Sequence, residues 1–179
     1  LGQAAYNYAR FGDVTEFGYR WMNSPGPLAE RQATWGQFSL HFLPDLYTLL
    51  IRPPLVSLDP PRIAPDPWGM GLLLTCPALL LSLLTLTRRP LRHPIPALWL
   101  SILLVQTPAL LYFNTGSYQF GYRFALDWLP LGLLLAGLGA RACPRRWRRW
   151  LIIVSVLMHL WGVLWMYQNF NGQAWHIQY

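Results

Sequence analysis

The sequence predicts an all-α integral membrane protein, a bundle of about four transmembrane helices preceded by an outward-facing loop with an interfacial helix. Three observations predict this class. Of the 179 residues, 54% are hydrophobic and only 12% are charged, about half the roughly 25% of an ordinary soluble domain. Four long apolar segments fill most of residues 69–179, and arginines cluster in two of the loops between them. We therefore divide the chain into an extracytoplasmic or interfacial segment, 1–68, and a four-span transmembrane bundle, 69–179.

Composition also excludes several classes of protein. Ten Trp residues and the high apolar content exclude a disordered chain, which would be polar and poor in aromatic residues. The net charge of +7 comes from 14 arginines against seven acidic residues, without any lysine. Eight of the arginines sit in two short stretches between apolar runs, where they indicate membrane anchoring rather than nucleic-acid binding. The chain begins at Leu1 and has no charged region followed by a cleavage site, so we expect a piece of a longer protein.

The first 68 residues combine a loop with one predicted helix. Residues 10–27 hold turn residues without a sustained period, which is typical of a loop. In Trp35–Ile51 apolar residues recur at helical spacing, and Pro44 is expected to kink or divide the helix. Three less apolar residues interrupt it: Ser39, His41 and Asp45. A helix in the membrane surface and a helix packed across the tops of the spans both fit this pattern.

A proline-rich connector leads from this helix to the first predicted span. Residues 52–67 contain six prolines, which predicts an extended chain. The four segments that follow are each long enough for the about 17–25 residues that cross a hydrocarbon core. They are 69–86, 95–113, 124–140 and 150–167. Buried helices of a soluble protein would have a similar composition, but four of them would not normally fill so much of a short chain.

The arginine distribution predicts the orientation of the spans. The loop 87–94 holds three arginines and the loop 141–149 holds five, with no acidic residue in either loop. Alternating spans place these two loops on the same side, which the positive-inside rule makes cytoplasmic. Residues 1–68, with five arginines and six acids, then face outward, together with the loop 114–123.

The sequence lacks the motifs of several kinds of site. It has no CxxC, HExxH or clustered histidine, so it gives no support for a metal site. It has no phosphate-binding glycine loop of the nucleotide-binding kinds. Cys76 and Cys143 lie at different predicted depths, which argues against a disulfide between them.

Two outward patches carry the residues best suited to ligand binding. They are Tyr6–Arg20, YNYARFGDVTEFGYR, and Asn114–Asp127, NTGSYQFGYRFALD. Each combines aromatic residues and glycines with arginine, whose planar fork can bond two phosphate oxygens at once. Aromatic rings can stack on sugars or cover a lipid chain.

Each candidate residue also has a structural interpretation. Arg123 and Asp127 are four residues apart, so on a helix they can form an ion pair at the start of the third span. Arg10 and Arg20 can pair with nearby acids instead of binding a ligand. For His159, hydrogen bonding inside the bundle is the alternative to a proton relay.

The two patches resemble motifs of bacterial polytopic membrane proteins of the glycosyltransferase GT-C superfamily. The first is similar to a YN-x-x-RFG-x-x-x-x-FGY stretch in the outward part of these proteins. The second, in GSYQFGYRFALDWLPLGLLL, resembles a G-x-x-x-GYRY-x-x-D-x-x-P signature near their C-terminal spans, with Phe124 in place of the more usual Tyr. The resemblance covers residues 5–22 and 114–135.

The resemblance implies an enzyme part rather than a whole enzyme. Such proteins transfer a sugar from a polyprenyl-phosphate donor to a hydroxyl at the outer face of the membrane, using a carboxylate in their first outward loop. Asp13 and Glu16 lie in the wrong part of the pattern to be that carboxylate. The expectation is therefore the C-terminal membrane portion of a protein-mannosyltransferase-like enzyme, inactive by itself and without a catalytic residue of its own.

The resemblance also implies ligands and a location. Arg123 and Arg20 would contact the donor-lipid phosphate, with Tyr122 and Tyr19 beside it. The implied partners are membrane lipid, the polyprenyl-phosphate-sugar donor and the missing N-terminal half of the same protein, and not nucleic acid. No cofactor is expected in this part, although a divalent metal would fit the full protein. The implied location is the bacterial plasma membrane, crossed several times.

Two other functions remain open. A transporter or flippase subunit for a lipid-linked substrate would place polar or broken-helix positions near mid-membrane. The predicted spans are almost unbroken apolar runs, which favours chemistry at the outer surface. A non-catalytic membrane scaffold is the third alternative.

Overall fold

The computed structural model describes residues 2–18, 26–58, 61–87, 94–116 and 119–170. Helices dominate, and short strands interrupt them. The helices are α1 (Gly2–Phe11), α2 (Gly26–Trp35), α3 (Phe42–Leu50), α4 (Leu72–Thr75), α5 (Leu80–Leu83), α6 (Ile95–Leu111), α7 (Leu129–Gly139) and α8 (Arg145–Phe170). The strands are β1 (Leu55–Leu58), β2 (Pro61–Ala64), β3 (Trp68–Met70) and β4 (Gln119–Gly121).

The N-terminal segment is more helical than predicted. Helix α2 begins at Gly26, inside the region expected to be a loop, and ends before Gly36. Gly36 has φ +67°, and its N–H donates to Gln32 O at 2.9 Å, which closes the helix. The helix predicted over 35–51 is therefore not continuous. Its first residue, Trp35, ends α2, the chain leaves the helical path at Gly36, and the helix resumes only in α3.

The proline-rich connector forms a hairpin rather than a free extended chain. Strands β1 and β2 pair antiparallel, with Leu55 opposite Ala64 and Leu58 opposite Pro61. The strand residues of β1 are exposed on both faces. Extended backbone was predicted here, and the two strands have it, but their pairing with each other was not predicted.

The prediction of a four-span bundle is wrong. The first predicted span, 69–86, consists of β3, α4, a 3-10 turn at Pro77–Leu79, and α5. Cys76 leaves the helical region with φ −139° and ψ 64°, and Pro77 has no N–H to continue a helix. Strand β3 pairs in parallel with β4, Trp68 opposite Gln119 and Met70 opposite Gly121. A long-range strand pair thus replaces the start of the expected span.

Two further predicted spans form helices shorter than the predicted segments, and neither is a candidate span by length and composition. Helix α6 has 17 residues and α7 has 11, or about 26 Å and about 16 Å at 1.5 Å per residue, against a hydrocarbon core of about 30 Å. The third span begins as a 3-10 turn at Arg123–Ala125, with α7 starting only at Leu129.

One helix in the described part of the chain can cross a membrane by its length and composition. It is Arg145–Gln168, within α8. Only 11% of its apolar window is buried, unlike the core helix of a soluble protein. The structure therefore gives one candidate span and does not support a protein that crosses the membrane several times.

The core joins α3, α6 and α7 around the segment that follows β4. Its buried members are Leu49, Ile102, Tyr122, Ala125, Trp128 and Leu135. Helices α5 and α7 approach closely at Gly139, where an added Cβ would clash with the carbonyl of Leu81. The core and the β3–β4 pair together fix the position of Tyr122, Arg123 and Phe124, on which the candidate site is built.

Candidate functional site

Two clefts lie on either side of the segment Tyr122–Phe124. The first, which we name the Arg123 cleft, has a volume of about 260 Å³ and lies between α4, β4 and α8. Its polar lining comes from Thr75, Gln119, Arg123 and His159, and most of the remaining lining is apolar. It contains both described residues predicted to bind the donor phosphate, Tyr122 and Arg123.

A buried glutamine fixes the backbone that carries Arg123. The Gln119 amide nitrogen donates to Trp68 O at 2.7 Å and to Thr115 O at 2.9 Å. Its amide oxygen accepts from the Arg123 N–H at 3.1 Å. Gly69, with φ +98°, leaves room for this side chain, because an added Cβ would lie 2.5 Å from Gln119 Nε2. The glutamine therefore joins β3 to the loop that presents Arg123.

The Arg123 guanidinium is exposed and stays beside an aromatic ring. Its Cζ lies 5.2 Å from the centre of the Phe124 ring, a cation–π distance. His159 faces the same cleft from α8, and its Nδ1 is 2.7 Å from Ser155 O. His159 was predicted to hydrogen-bond inside the bundle, but it is exposed and its hydrogen bond is to its own helix.

Tyr122 supports the cleft from beneath rather than standing at its surface. Its side chain is 2% exposed. Burial and the neighbouring Asp45 carboxylate raise the pKa of the Tyr122 phenol above its usual range, while a hydrogen bond with Gln106 acts in the opposite direction. The phenol stays protonated, so it can donate a hydrogen bond but carries no charge of its own.

The second cleft, which we name the aromatic cleft, has a volume of about 380 Å³. Its aromatic lining is Phe17, Phe38, Tyr112 and Phe124. Gln37 and Asp127 supply its polar groups. Phe17 belongs to the first sequence patch and Phe124 to the second, so the structure brings residues of the two patches to one cavity.

The remaining predicted site residues have different outcomes. Arg20 and Tyr19 lie outside the described residues. Arg123 and Asp127 are not among the ion pairs of the described part of the chain, which are His41–Asp45 and Arg52–Asp66. The reason is local backbone geometry, since a 3-10 turn followed by further turn residues replaces the α-helix that would align residues four apart.

The first patch holds its arginine against aromatic rings. Arg10 Nη1 donates to the Tyr6 hydroxyl at 2.8 Å, and its Cζ lies 5.1 Å from the Phe11 ring centre. Glu16 Oε1 accepts from the Gly18 N–H at 2.8 Å, which closes the loop that carries Phe17. This loop brings Phe17 to the aromatic cleft.

Sequence reasoning missed a buried polar group in α3. Asp45 is 1% exposed, and neither carboxylate oxygen has a hydrogen-bond partner among the described residues. Burial raises its pKa to about 7, although the Arg31 charge acts to lower it. A sequence signal existed, because Asp45 precedes the buried Leu49 by four residues and so shares its helix face.

The described residues contain no group of three or more His, Cys, Asp or Glu side chains that could hold a metal ion. The chain matches no family model, no curated protein and no solved structure. The resemblance to glycosyltransferases therefore stays a prediction.

Proposed function

We propose that the chain is the lipid-binding, membrane-associated portion of a glycosyltransferase that uses a polyprenyl-phosphate-sugar donor. The observation that carries this proposal is the meeting of the two sequence patches at one segment. Phe17 and Phe124 line the aromatic cleft, and the residue before Phe124, Arg123, lines the adjoining cleft. An exposed cation next to an aromatic cavity suits a ligand that is anionic at one end and apolar along its length.

In this proposal the donor phosphate binds Arg123 and the rest of the donor contacts aromatic and apolar surface. The guanidinium fork can make two hydrogen bonds to phosphate oxygens. The Phe124 ring, 5.2 Å from Arg123 Cζ, limits the guanidinium orientations. Tyr122 and Gln119 support the backbone beneath the arginine, so their contribution is indirect.

Helix α8 provides the contact with the bilayer. Its apolar side chains are largely exposed, for example Ile153, Val156, Leu160 and Val163. Four arginines occupy its first turns, at 145, 146, 148 and 149, and the positive-inside rule places that end in the cytoplasm. Because His159 on α8 lines the Arg123 cleft, a lipid lying along this helix reaches the cleft directly.

The test is binding of a polyprenyl monophosphate to the chain in lipid nanodiscs, measured by intrinsic tryptophan fluorescence. Loss of a charged hydrogen bond costs about 1.5–3 kcal/mol, so Arg123→Ala should weaken binding by about 10- to 100-fold. Arg141→Ala is the matched control, since Arg141 is exposed and outside both clefts. Equal affinity of the wild type for the phosphate and for the uncharged polyprenol would contradict the proposal.

A lipid-linked-substrate transporter is the second candidate, favoured by the broken segment at Cys76–Pro77. The N–H of Ala78 at this break donates to Ser155 Oγ of α8 at 2.9 Å, so a neighbouring helix satisfies an amide that an unbroken helix would satisfy internally. Broken helices beside a polar cleft are a feature of transporters. Faster movement of a fluorescent polyprenyl phosphate across vesicles containing the chain would favour this candidate, whereas the first proposal predicts no acceleration.

A further inference from the structure

Three polar side chains in the α2–α3 loop and the first turn of α3 form an array that the proposed function does not use. They are Ser39, His41 and Asp45. Ser39 Oγ hydrogen-bonds His41 Nδ1. The other ring nitrogen, His41 Nε2, lies 3.2 Å from Tyr112 O and 3.8 Å from Asp45 Oδ2.

The partners of the imidazole determine which nitrogen carries the proton in its neutral form. A backbone carbonyl only accepts hydrogen bonds, so Nε2 carries the hydrogen and donates it to Tyr112 O. Nδ1 then has a free lone pair, and it accepts the hydrogen bond that the Ser39 hydroxyl donates. The imidazole is therefore oriented as a base toward Ser39, the arrangement that activates a serine nucleophile.

Contacts distant in sequence hold this geometry. The Ser39 N–H donates to Leu111 O at 2.9 Å, and Phe38 forms a β-bridge with Tyr112. The Trp35 ring stacks on the imidazole with centres 4.2 Å apart and planes 19° apart. The end of α6 and the last residue of α2 thus fix both the serine backbone and the histidine ring.

Asp45 completes the array as a buried acid whose carboxylate has no hydrogen-bond partner among the described residues. The groups that face it are Arg31 from α2, His41 at the start of α3, and Tyr122 from the core. A purely structural buried carboxylate is normally hydrogen-bonded, and both oxygens of Asp45 lack a partner among the described residues. A carboxylate this close to the ring stabilises the imidazolium that forms when His41 accepts a proton.

We propose that Ser39 is a nucleophile for acyl transfer from esters with an apolar acyl chain, with His41 as its base and Asp45 as a positioning residue. Gln37 and Phe38, the two residues before Ser39, line the aromatic cleft, which gives the acyl chain an apolar surface beside the hydroxyl. This activity does not use Arg123, but its acyl chain occupies the aromatic cleft that the donor lipid contacts in the proposed function.

The reaction has two steps and needs only water as a second substrate. Ser39 Oγ bonds to the carbonyl carbon while His41 takes the hydroxyl proton, the ester C–O bond breaks, and His41 gives the proton to the departing alcohol. Water then attacks the acyl-serine, His41 again takes a proton, and the acid leaves as Ser39 regains its hydrogen.

A fluorophosphonate probe and a p-nitrophenyl butyrate assay, on the full chain in detergent micelles at pH 8, test the proposal. Mass spectrometry should locate the phosphonate on Ser39, and Ser39→Ala, which removes one oxygen, should abolish both labelling and ester hydrolysis. His41→Ala should lower the labelling rate constant by about 100-fold or more, the usual contribution of a general base. Asp45→Asn should lower kcat with KM unchanged, which a merely structural role would not produce.

Ser101→Ala is the matched control, because Ser101 is an exposed serine on α6 whose hydroxyl donates to Ala97 O at 2.9 Å and hydrogen-bonds no histidine of the described residues. This variant should label at the wild-type rate. The absence of phosphonate on Ser39 in a wild-type chain whose tryptophan fluorescence reports a cooperative melt would overturn the proposal. Equal labelling rates of wild type and a folded His41→Ala variant would do the same.

Discussion

The buried Asp45 makes the stability of the protein depend on pH. Its pKa is raised from 3.8 to about 7 in the folded chain. Well below pH 4 the acid is protonated in both the folded and the unfolded chain. Between pH 4 and pH 7 the unfolded chain loses the proton while the folded chain keeps it, so the free energy of unfolding falls as the pH rises. Each pH unit in this range lowers the free energy of unfolding by about 1.4 kcal/mol, so the total loss by pH 7 is about 4 kcal/mol.

A loss of this size is a large part of the stability of a small domain, about 5–15 kcal/mol. Asp45→Asn removes the titrating group and keeps the shape of the side chain, so this component of the pH dependence should disappear. The measurement is denaturant unfolding in neutral detergent at several pH values, followed by tryptophan fluorescence. Asp127→Asn is the control, since Asp127 is an exposed carboxyl and should keep the wild-type slope. Parallel pH profiles for wild type and Asp45→Asn would refute the reasoning.

Two further predictions concern packing around α7. Gly139→Ala should lower the free energy of unfolding by about 1–3 kcal/mol through overpacking against Leu81 O. Gly137→Ala, with nothing within 4 Å of its added Cβ, should raise it by up to about 1 kcal/mol; equal effects in denaturant unfolding would contradict the predicted close approach. Trp128→Phe removes the 2.6 Å hydrogen bond to Gln106 Oε1 and should cost about 1–3 kcal/mol. Adding Gln106→Leu should recover part of this loss, and a double variant no more stable than Trp128→Phe would count against the hydrogen bond as the cause.

Hydropathy predicted some helices well because their apolar residues are locally continuous. The segment 95–113 contains α6, and 150–167 lies within α8. The segment 69–86 is equally apolar, but its helix is interrupted at Cys76–Pro77, where the backbone leaves the α-helical conformation. A window of hydropathy measures how apolar a segment is and contains no information on whether its amides continue one helix.

The strand pair that replaces the first predicted span has no local signal. Strands β3 and β4 are three residues each, and their pairing joins Trp68 to Gln119 across 51 positions. Gln119 stabilises this pair with a side-chain bond to Trp68 O, a contact that single-sequence reasoning has no means to find. The arginine distribution likewise predicts the charged ends of segments but not how many of them cross a membrane.

The candidate site was predictable in part. The glycine, aromatic and arginine pattern singled out Arg123 and Tyr122, and both line the Arg123 cleft, although Tyr122 is buried beneath it. Their neighbours in this cleft come from distant elements, such as His159 of α8. Asp45 was missed because a single acid in an apolar helix was interpreted as an interruption of the apolar face. The burial of Asp45 depends on the packing of α3 against α6 and the core, which the sequence of α3 alone does not show.

The most direct test of lipid-phosphate binding is photo-crosslinking with a diazirine-bearing polyprenyl phosphate in membranes, followed by peptide mapping. Binding of the donor phosphate at Arg123 predicts crosslinks in the segment 119–126, removed by excess unlabelled polyprenyl monophosphate but not by polyprenol, and reduced in Arg123→Ala. Crosslinks confined to the lipid-facing surface of α8, with no competition by the phosphate, would show that the clefts bind no such lipid and would refute the proposed function.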